Sequence, residues 1–292
     1  MRTVNALLLS ARPRTLPAAA GPVIVGAAMA YAAGPVDRLV LGVTLVCALL
    51  IQVGTNYAND YYDFVKGTDT AERVGPPRAT AAGLVSPAVM RTTFMATFAA
   101  AGLLGCYLVY EGGIAIALIG AASIACGLLY TAGPLPLGYL GLGDVFVLVF
   151  FGPVAVGGTY YLQTGRITWQ PILAGLGPGL ISTAVLTVNN FRDYHTDKQA
   201  GKRTLVVRFG RSFGKAQYVA CIVGACTVPL LLSVCSGGRW WANLSILMLA
   251  VAWSPMRAVL REAEPAVLNR ALAQTGVSLV VYSVLFSLGW LI

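Results

Sequence analysis

The feature that most limits what this chain can become is a succession of about nine apolar runs, each near the roughly 20 residues that a helix needs to cross a hydrocarbon layer. They fall near residues 15–33, 39–59, 91–110, 113–131, 143–163, 170–191, 216–235, 240–257 and 270–291. Inside a bilayer no water satisfies exposed N–H and C=O groups, so runs of this length suit only helices, which pair those groups within their own segment. At 57% hydrophobic and 11% charged residues, the chain is too apolar for a water-soluble domain. The expected fold is all-α, a polytopic membrane bundle of about nine transmembrane helices forming one domain over residues 1–292. Many of the 33 glycines and 15 prolines are scattered within the apolar runs, where tight helix packing accommodates them.

Orientation follows from the charges between the runs. With the N-terminus on the cytoplasmic side, every basic residue except Arg38, Arg166 and Arg239 falls in a cytoplasmic segment, as the positive-inside rule requires. Every acid except Asp37 and Glu111 falls there too. Arg12 and Arg14 precede the first run without a convincing cleavage site, so that run is expected to stay as a helix. The net charge of +9 is spread over loops and not over one face, which argues for membrane topology and an anionic substrate and against nucleic acid. No protein partner is implied. The six cysteines lie in or beside apolar runs without any Cys-x-x-Cys pair, and read as small buried hydrophobes.

Two stretches that close apolar runs concentrate the polar chemistry. The first is Asn59-Asp60-Tyr61-Tyr62-Asp63-Phe64-Val65-Lys66-Gly67-Thr68-Asp69-Thr70, and the second runs from Asn189, Asn190, Phe191, Arg192 and Asp193 through His195 and Asp197 to Gly201 and Thr204. Asn59 and Asp63 are four residues apart, as are Asn189, Asp193 and Asp197 in turn, so helical continuation stacks their oxygens along one face. Each motif reaches a glycine four residues after its last aspartate and a threonine three residues later. Carboxylates facing the same way at the edge of a low-dielectric region repel unless a cation lies between them. A metal is therefore expected, with the two matched segments facing one cytoplasmic-side site.

Arg73, Arg78 and the segment Gly201–Gly210 bring further cations beside the acids, a combination suited to a phosphate ester held through metal and directly. The all-oxygen ligand set points to Mg2+, with Mn2+ as a substitute. His195, the single histidine, reads as a solvated loop residue. There is no G-x-x-x-x-G-K-[ST] and no Gly-x-Ser-x-Gly, which argues against nucleotide hydrolysis and a serine hydrolase. A third stretch, from Tyr130 to Asp144, is rich in Gly and Pro; a tight turn accounts for those residues, and Tyr130 and Asp144 are its candidates to face the cavity.

These motifs resemble those of the UbiA superfamily of intramembrane prenyltransferases, whose pattern is Asn-Asp-x-x-Asp after the second helix and Asp-x-x-x-Asp after the sixth. Here they are Asn59-Asp60-x-x-Asp63 and Asp193-x-x-x-Asp197. The extended segments, together with Gly141-Leu142-Gly143-Asp144 and Gly201-Lys202-Arg203-Thr204-Leu205-Val206-Val207-Arg208, are similar to the branch that prenylates 1,4-dihydroxy-2-naphthoate in menaquinone synthesis. One departure is Gly67, where some members carry an aspartate, with Asp69 two residues on.

The resemblance implies two magnesium ions held by Asn59, Asp63, Asp193 and Asp197, with Asp60 in support, gripping the diphosphate of a polyprenyl donor. It implies ionisation of the allylic C–O bond and attack by the naphthoate with loss of its carboxyl group, giving demethylmenaquinol. Candidates for diphosphate contacts are Lys66, Arg78, Lys202, Arg203 and Arg208, and for acceptor contacts Asn189, Asn190, Arg192 and Tyr130. The isoprenoid would lie between apolar helices, open to membrane lipid, with the protein in the cell (cytoplasmic) membrane. Alternatives are another aromatic acceptor, such as 4-hydroxybenzoate or homogentisate, and, in a different class, a cation-coupled transporter with acids along its pathway.

Overall fold

A computed structural model describes residues 2–68, 75 and 77–292; Asp69, Thr70 and Arg73, named above, lie outside the described residues. All regular structure among the described residues is helical. Helix α1 (Arg2–Ser10) turns through Pro13–Thr15 into α2 (Pro17–Ala33). Helix α3 (Arg38–Val65) begins under Asp37, whose Oδ1 accepts from the main-chain N–H of Leu39 at 2.8 Å and of Val40 at 3.0 Å. Helix α4 (Pro87–Leu129) has Ser86 as its N-cap and Pro at its first position, where the missing N–H costs nothing.

At 43 residues α4 would reach about 65 Å if straight, twice the roughly 30 Å of a hydrocarbon core. It breaks at Gly113, whose φ of 66° and ψ of −158° lie outside the helical region. The two arms fold back along each other. Met90, Phe94 and Phe98 of the first arm cluster with Ile124 and Leu128 of the second, while Leu104 and Leu108 meet Ile116 and Ile119 nearer the break.

Helix α5 (Gly143–Val149) passes through a π turn at Phe150–Val154 into α6 (Ala155–Thr164). Then come α7 (Trp169–Arg192), the short α8 (Tyr194–Gln199) and α9 (Leu205–Phe209), and α10 (Arg211–Ser236). A 3-10 stretch, Trp240–Met248, leads into α11 (Leu249–Leu260), and α12 (Pro265–Leu291) closes the bundle. Among the described residues seven helical stretches are long and apolar enough to cross a membrane, and eight if the pair Thr3–Thr15 and Pro17–Ala33, bent by 50°, counts as one. The expected tally of about nine differs because α4 counts once there, where the sequence pattern separates its arms at the paired glycines Gly112 and Gly113.

Helix α7 is the axle. In its most apolar window 72% of residues are buried, against 6% for α4, so α7 is surrounded by protein and α4 faces outward. Ile181, Ala184, Val188 and Phe191 have no exposed surface and pack in one core with Ile222 of α10 and Leu279 and Phe286 of α12. Lipid tails are as apolar as leucine, so helices in a bilayer associate through close packing more than through removal of apolar surface from water. One close approach is where α7 meets the broken turn before α6. A Cβ on Gly175 would stand 2.6 Å from the Pro153 nitrogen, and one on Gly152 would stand 2.7 Å from the Gly175 carbonyl oxygen.

Gly175→Val should therefore force α7 away from that turn. Overpacking of this kind costs about 1–3 kcal/mol or more, and for a chain of this size each kcal/mol lowers Tm by roughly 2–4 °C. Thermal unfolding in detergent measures it; a variant with unchanged Tm would show that the helices do not approach this closely.

Candidate active site

Helices α3 and α7 both end at the same end of the bundle, where their polar termini open onto a cavity of about 560 Å³. Its charged end is lined by Asn59 and Asp63 from α3, by Asn189, Asn190 and Asp193 at the end of α7, by Asp197 of α8 and by Lys202. Its other wall is apolar and includes Ala48, Ile51, Gly105, Ile116, Phe150 and Val185. The two acidic motifs, 130 residues apart between Asp63 and Asp193, thus share one site.

Asp63 is 1% exposed, and both its oxygens are engaged. Arg78 Nη2 donates to Oδ2 at 2.6 Å, and the Tyr139 hydroxyl donates to Oδ1 at 2.6 Å. The Lys202 ammonium lies 3.8 Å from Asp63 Oδ1 and 3.6 Å from Asp197 Oδ1, so one cation spans the two motifs. Asp193 is gripped by its neighbour: Arg192 donates from Nε to Oδ1 at 2.7 Å and from Nη2 to Oδ2 at 2.6 Å. This forked pairing fixes the carboxylate plane. The same guanidinium donates to Asn269 Oδ1 on α12 at 2.7 Å and to Asn189 Oδ1 at 2.9 Å. Asn59 Oδ1 accepts from the Thr131 hydroxyl at 2.9 Å.

Several other residues named from the sequence stand apart from the cavity wall. Asp60, 1% exposed, points away from it and accepts from the main-chain N–H groups of Ala79 and Thr80, each at 3.0 Å, and from the Ser10 hydroxyl at 3.0 Å. It secures the loop that carries Arg78. Lys66 donates to the main-chain carbonyls of Thr131 at 2.6 Å and Gly133 at 2.9 Å. Burial pulls its ammonium below the ordinary lysine pKa, an effect Asp63 opposes and Lys202 reinforces. Arg203 is exposed, and Arg208 donates to the carbonyls of Leu140 and Arg203 at 2.7 and 3.1 Å, lacing two loops together. Arg192 is committed to Asp193, Asn189 and Asn269 and does not line the cavity. Of the Tyr130–Asp144 turn, Tyr130 lines the cavity while Asp144 is buried behind it, accepting from Gln217 Nε2 at 2.6 Å. His195 is exposed on α8, edge-on to Tyr194.

Three residues that the motif reading passed over line the site. Tyr139 lines it and donates to Asp63, and Thr131 donates to Asn59. Arg12, read from the sequence only as a topology signal, also lines the cavity, in a left-handed backbone conformation with φ of 53°. Left-handed geometry at a non-glycine residue stores strain and gathers at functional sites. For Tyr139 the available signal was its setting between Gly138 and Gly141, which confine that turn.

The donor set fits magnesium. Among the described residues no three acids, histidines or cysteines converge on a single point. Mg2+ seldom uses an all-protein cage; it takes one or two carboxylates and fills its octahedron with water and substrate phosphate oxygens. Asn59 with Asp63, and Asp193 with Asp197, are such partial sets lining one cavity.

Residues 19–288 match the UbiA prenyltransferase family. The chain belongs to that family. It is 38% identical over 291 residues to the 1,4-dihydroxy-2-naphthoate octaprenyltransferase of Haemophilus influenzae, covering 97% of this chain and 94% of that protein. Against the Escherichia coli protein of the same description it is 37% identical over 291 residues, covering 98% and 94%. In fold it is similar to a UbiA homolog from Aeropyrum pernix K1, with a TM-score of 0.70 at 14% identity over 98% of both chains. A UbiA homolog from Archaeoglobus fulgidus bound to DMAPP and Mg2+ superposes with a TM-score of 0.60 at 13% identity, covering 96% of this chain and 99% of that one. UbiA membership makes the protein a multi-pass membrane prenyltransferase and sets aside the transporter reading.

The placement of Asp60 gives a check on this geometry. Asp60→Asn presents an amide N–H₂ or a single weaker oxygen to two main-chain donors, a loss of about 1–3 kcal/mol for the buried groups left unpaired. Hydrogen exchange at Ala79 and Thr80 should accelerate. Unchanged protection of those two amides would mean that Asp60 does not hold the loop.

Proposed function

We propose that this UbiA protein transfers a polyprenyl group from a polyprenyl diphosphate to 1,4-dihydroxy-2-naphthoate, with loss of carbon dioxide, giving demethylmenaquinol. The observation that carries the reading is the near-full-length similarity to two naphthoate octaprenyltransferases, joined to a cavity with one charged end and one apolar wall. Such a cavity matches a donor that is itself a charged head on an apolar chain.

At the charged end Asn59, Asp63, Asp193 and Asp197 would hold two magnesium ions, for which manganese substitutes. Bound there, the metal supplies positive charge against the departing pyrophosphate. Lys202 and Arg78, already among these acids, add fixed cations beside the leaving group. The allylic C–O bond breaks with its electron pair going to pyrophosphate. The acceptor carbon that bears the carboxylate bonds to the allylic carbon, and the carboxyl group leaves as carbon dioxide, returning its bonding pair to the ring. No ring proton has to be removed at that carbon. Asn189, Asn190 and Tyr130, on the cavity wall, orient the acceptor, and the apolar wall takes the isoprenoid.

The protein would cross the cytoplasmic membrane nine times with this site facing the cytoplasm. Support comes from the break at Gly113: dividing α4 there, and counting the bent N-terminal pair as one span, brings the seven long helices to nine.

Acceptor labelled in the carboxyl carbon tests the chemistry. Label should leave as carbon dioxide at one equivalent per prenyl group transferred, with Mg2+ or Mn2+ required and excess chelator abolishing it. Product that keeps its label, or faster turnover of 4-hydroxybenzoate, would assign the protein to another acceptor. Full turnover in chelator would remove the metal. For orientation, Gln199→Cys in a cysteine-free background should react with an impermeant thiol reagent only from the cytoplasmic side and Thr168→Cys only from the other. Reaction of Gln199→Cys from outside would overturn the topology.

A further inference from the structure

We infer that Tyr139 is a positioning residue with two separable parts: its hydroxyl sets the Asp63 carboxylate for metal, and its ring holds the Lys202 ammonium between the two acidic motifs. The inference rests on the metal-dependent reading above and assigns a role to a residue outside both motifs.

The hydroxyl comes first. An ionised carboxylate only accepts, so the phenolic proton at 2.6 Å is directed to Asp63 Oδ1. The Thr68 hydroxyl stands 2.9 Å from the phenolic oxygen and, at a longer 3.3 Å, from the same Oδ1. With Arg78 on Oδ2, each oxygen of Asp63 takes one short bond from the protein, which fixes the carboxylate plane and leaves lone-pair density on both oxygens for a cation. A tyrosine present only to fill space would not need its hydroxyl on a buried acid, since phenylalanine packs equally well.

The ring does something different. Lys202 Nζ lies 4.8 Å from its centroid and Lys66 Nζ 5.1 Å, both within the range of cation–π attraction. Lysine has a flexible four-carbon stem, and an ammonium spanning two carboxylates at 3.6 and 3.8 Å needs something to keep it there. The Tyr139 carbonyl also accepts from the Arg203 N–H at 2.8 Å, tying the backbone next to Lys202 to the same turn. That turn is itself confined: Gly138 N–H donates to the Tyr130 carbonyl at 3.0 Å, and a Cβ on Gly138 would come within 2.8 Å of the Tyr130 ring. Tyr139 thus touches the loop after α3 and the loop before α9 from a third, stiff segment.

Tyr139→Phe and Tyr139→Leu in the full chain separate the two parts. Mn2+ binding, followed by electron paramagnetic resonance with inorganic pyrophosphate present, reads the hydroxyl. KM and kcat for the prenyl diphosphate at saturating Mn2+ read the ring. Y139F should weaken Mn2+ binding by about 10–100-fold, the usual effect of removing a group that orients a metal ligand, and leave KM at saturating metal unchanged. Y139L should weaken Mn2+ as much and also raise KM, and Lys202→Gln should raise KM in the wild type but add nothing in Y139L. If Y139L is not recovered folded, Tyr139→Met, which fills the space without a π face, takes its place. Wild-type Mn2+ affinity in Y139F, or no Mn2+ binding by the wild type, overturns the hydroxyl's role; equal KM in the Phe and Leu variants overturns the ring's. Should the naphthoate not be prenylated at all, the functional reading falls while the Mn2+ measurement still decides the hydroxyl.

Discussion

The structure depends on keeping several carboxylates together, largely buried, at one end of a bundle of apolar helices. Asp63, Asp193 and Asp197 are each less than a tenth exposed, and like charges in such a place repel more strongly than in bulk water. The protein answers with cations set against them: Arg78 on Asp63, Arg192 on Asp193, and Lys202 between Asp63 and Asp197. Each answer recruits another part of the fold. Arg78 rides on a loop secured by Asp60, and Arg192 is braced by Asn269 from the last helix. The polar contacts around the site therefore draw on α3, α7 and the last helix.

The helices make this arrangement stiff. Because α7 is buried along most of its length, the residues at its end inherit a fixed position. The close approach of Gly175 to the turn at Pro153 sets its height against α5 and α6. On the other side the α4 hairpin shields α3, so that the helix ends bearing the two motifs come from two differently packed halves.

Much of this was legible in the sequence. Length and polarity of the runs gave the helices, since a bilayer permits little else, and the four-residue spacing brought Asn59, Asp63, Asp193 and Asp197 to one cavity. What sequence could not separate was direction. Asp60 is one step from Asn59 and therefore about 100° round the helix, where it meets a loop instead of the cavity. Arg203 and Arg208 carry the same positive charge as Lys202, yet carbonyls at loop ends claim Arg208, a demand visible only once the loops are folded. Tyr139 was hidden for the opposite reason, because its partners are 71 and 76 residues away and no periodicity links them.

The cavity's two unlike ends also govern how a turnover finishes. On the proposed reaction the donor enters with a diphosphate and the acceptor with a carboxylate, and the chemistry discards both. The quinol that remains carries no charge for the charged end to hold, while each methylene of its tail still favours an apolar surrounding by about 0.8 kcal/mol. The bond-making step thus removes both charges by which the cavity's charged end holds its substrates, and the grip that remains on the quinol is the apolar contact that lipid supplies equally well.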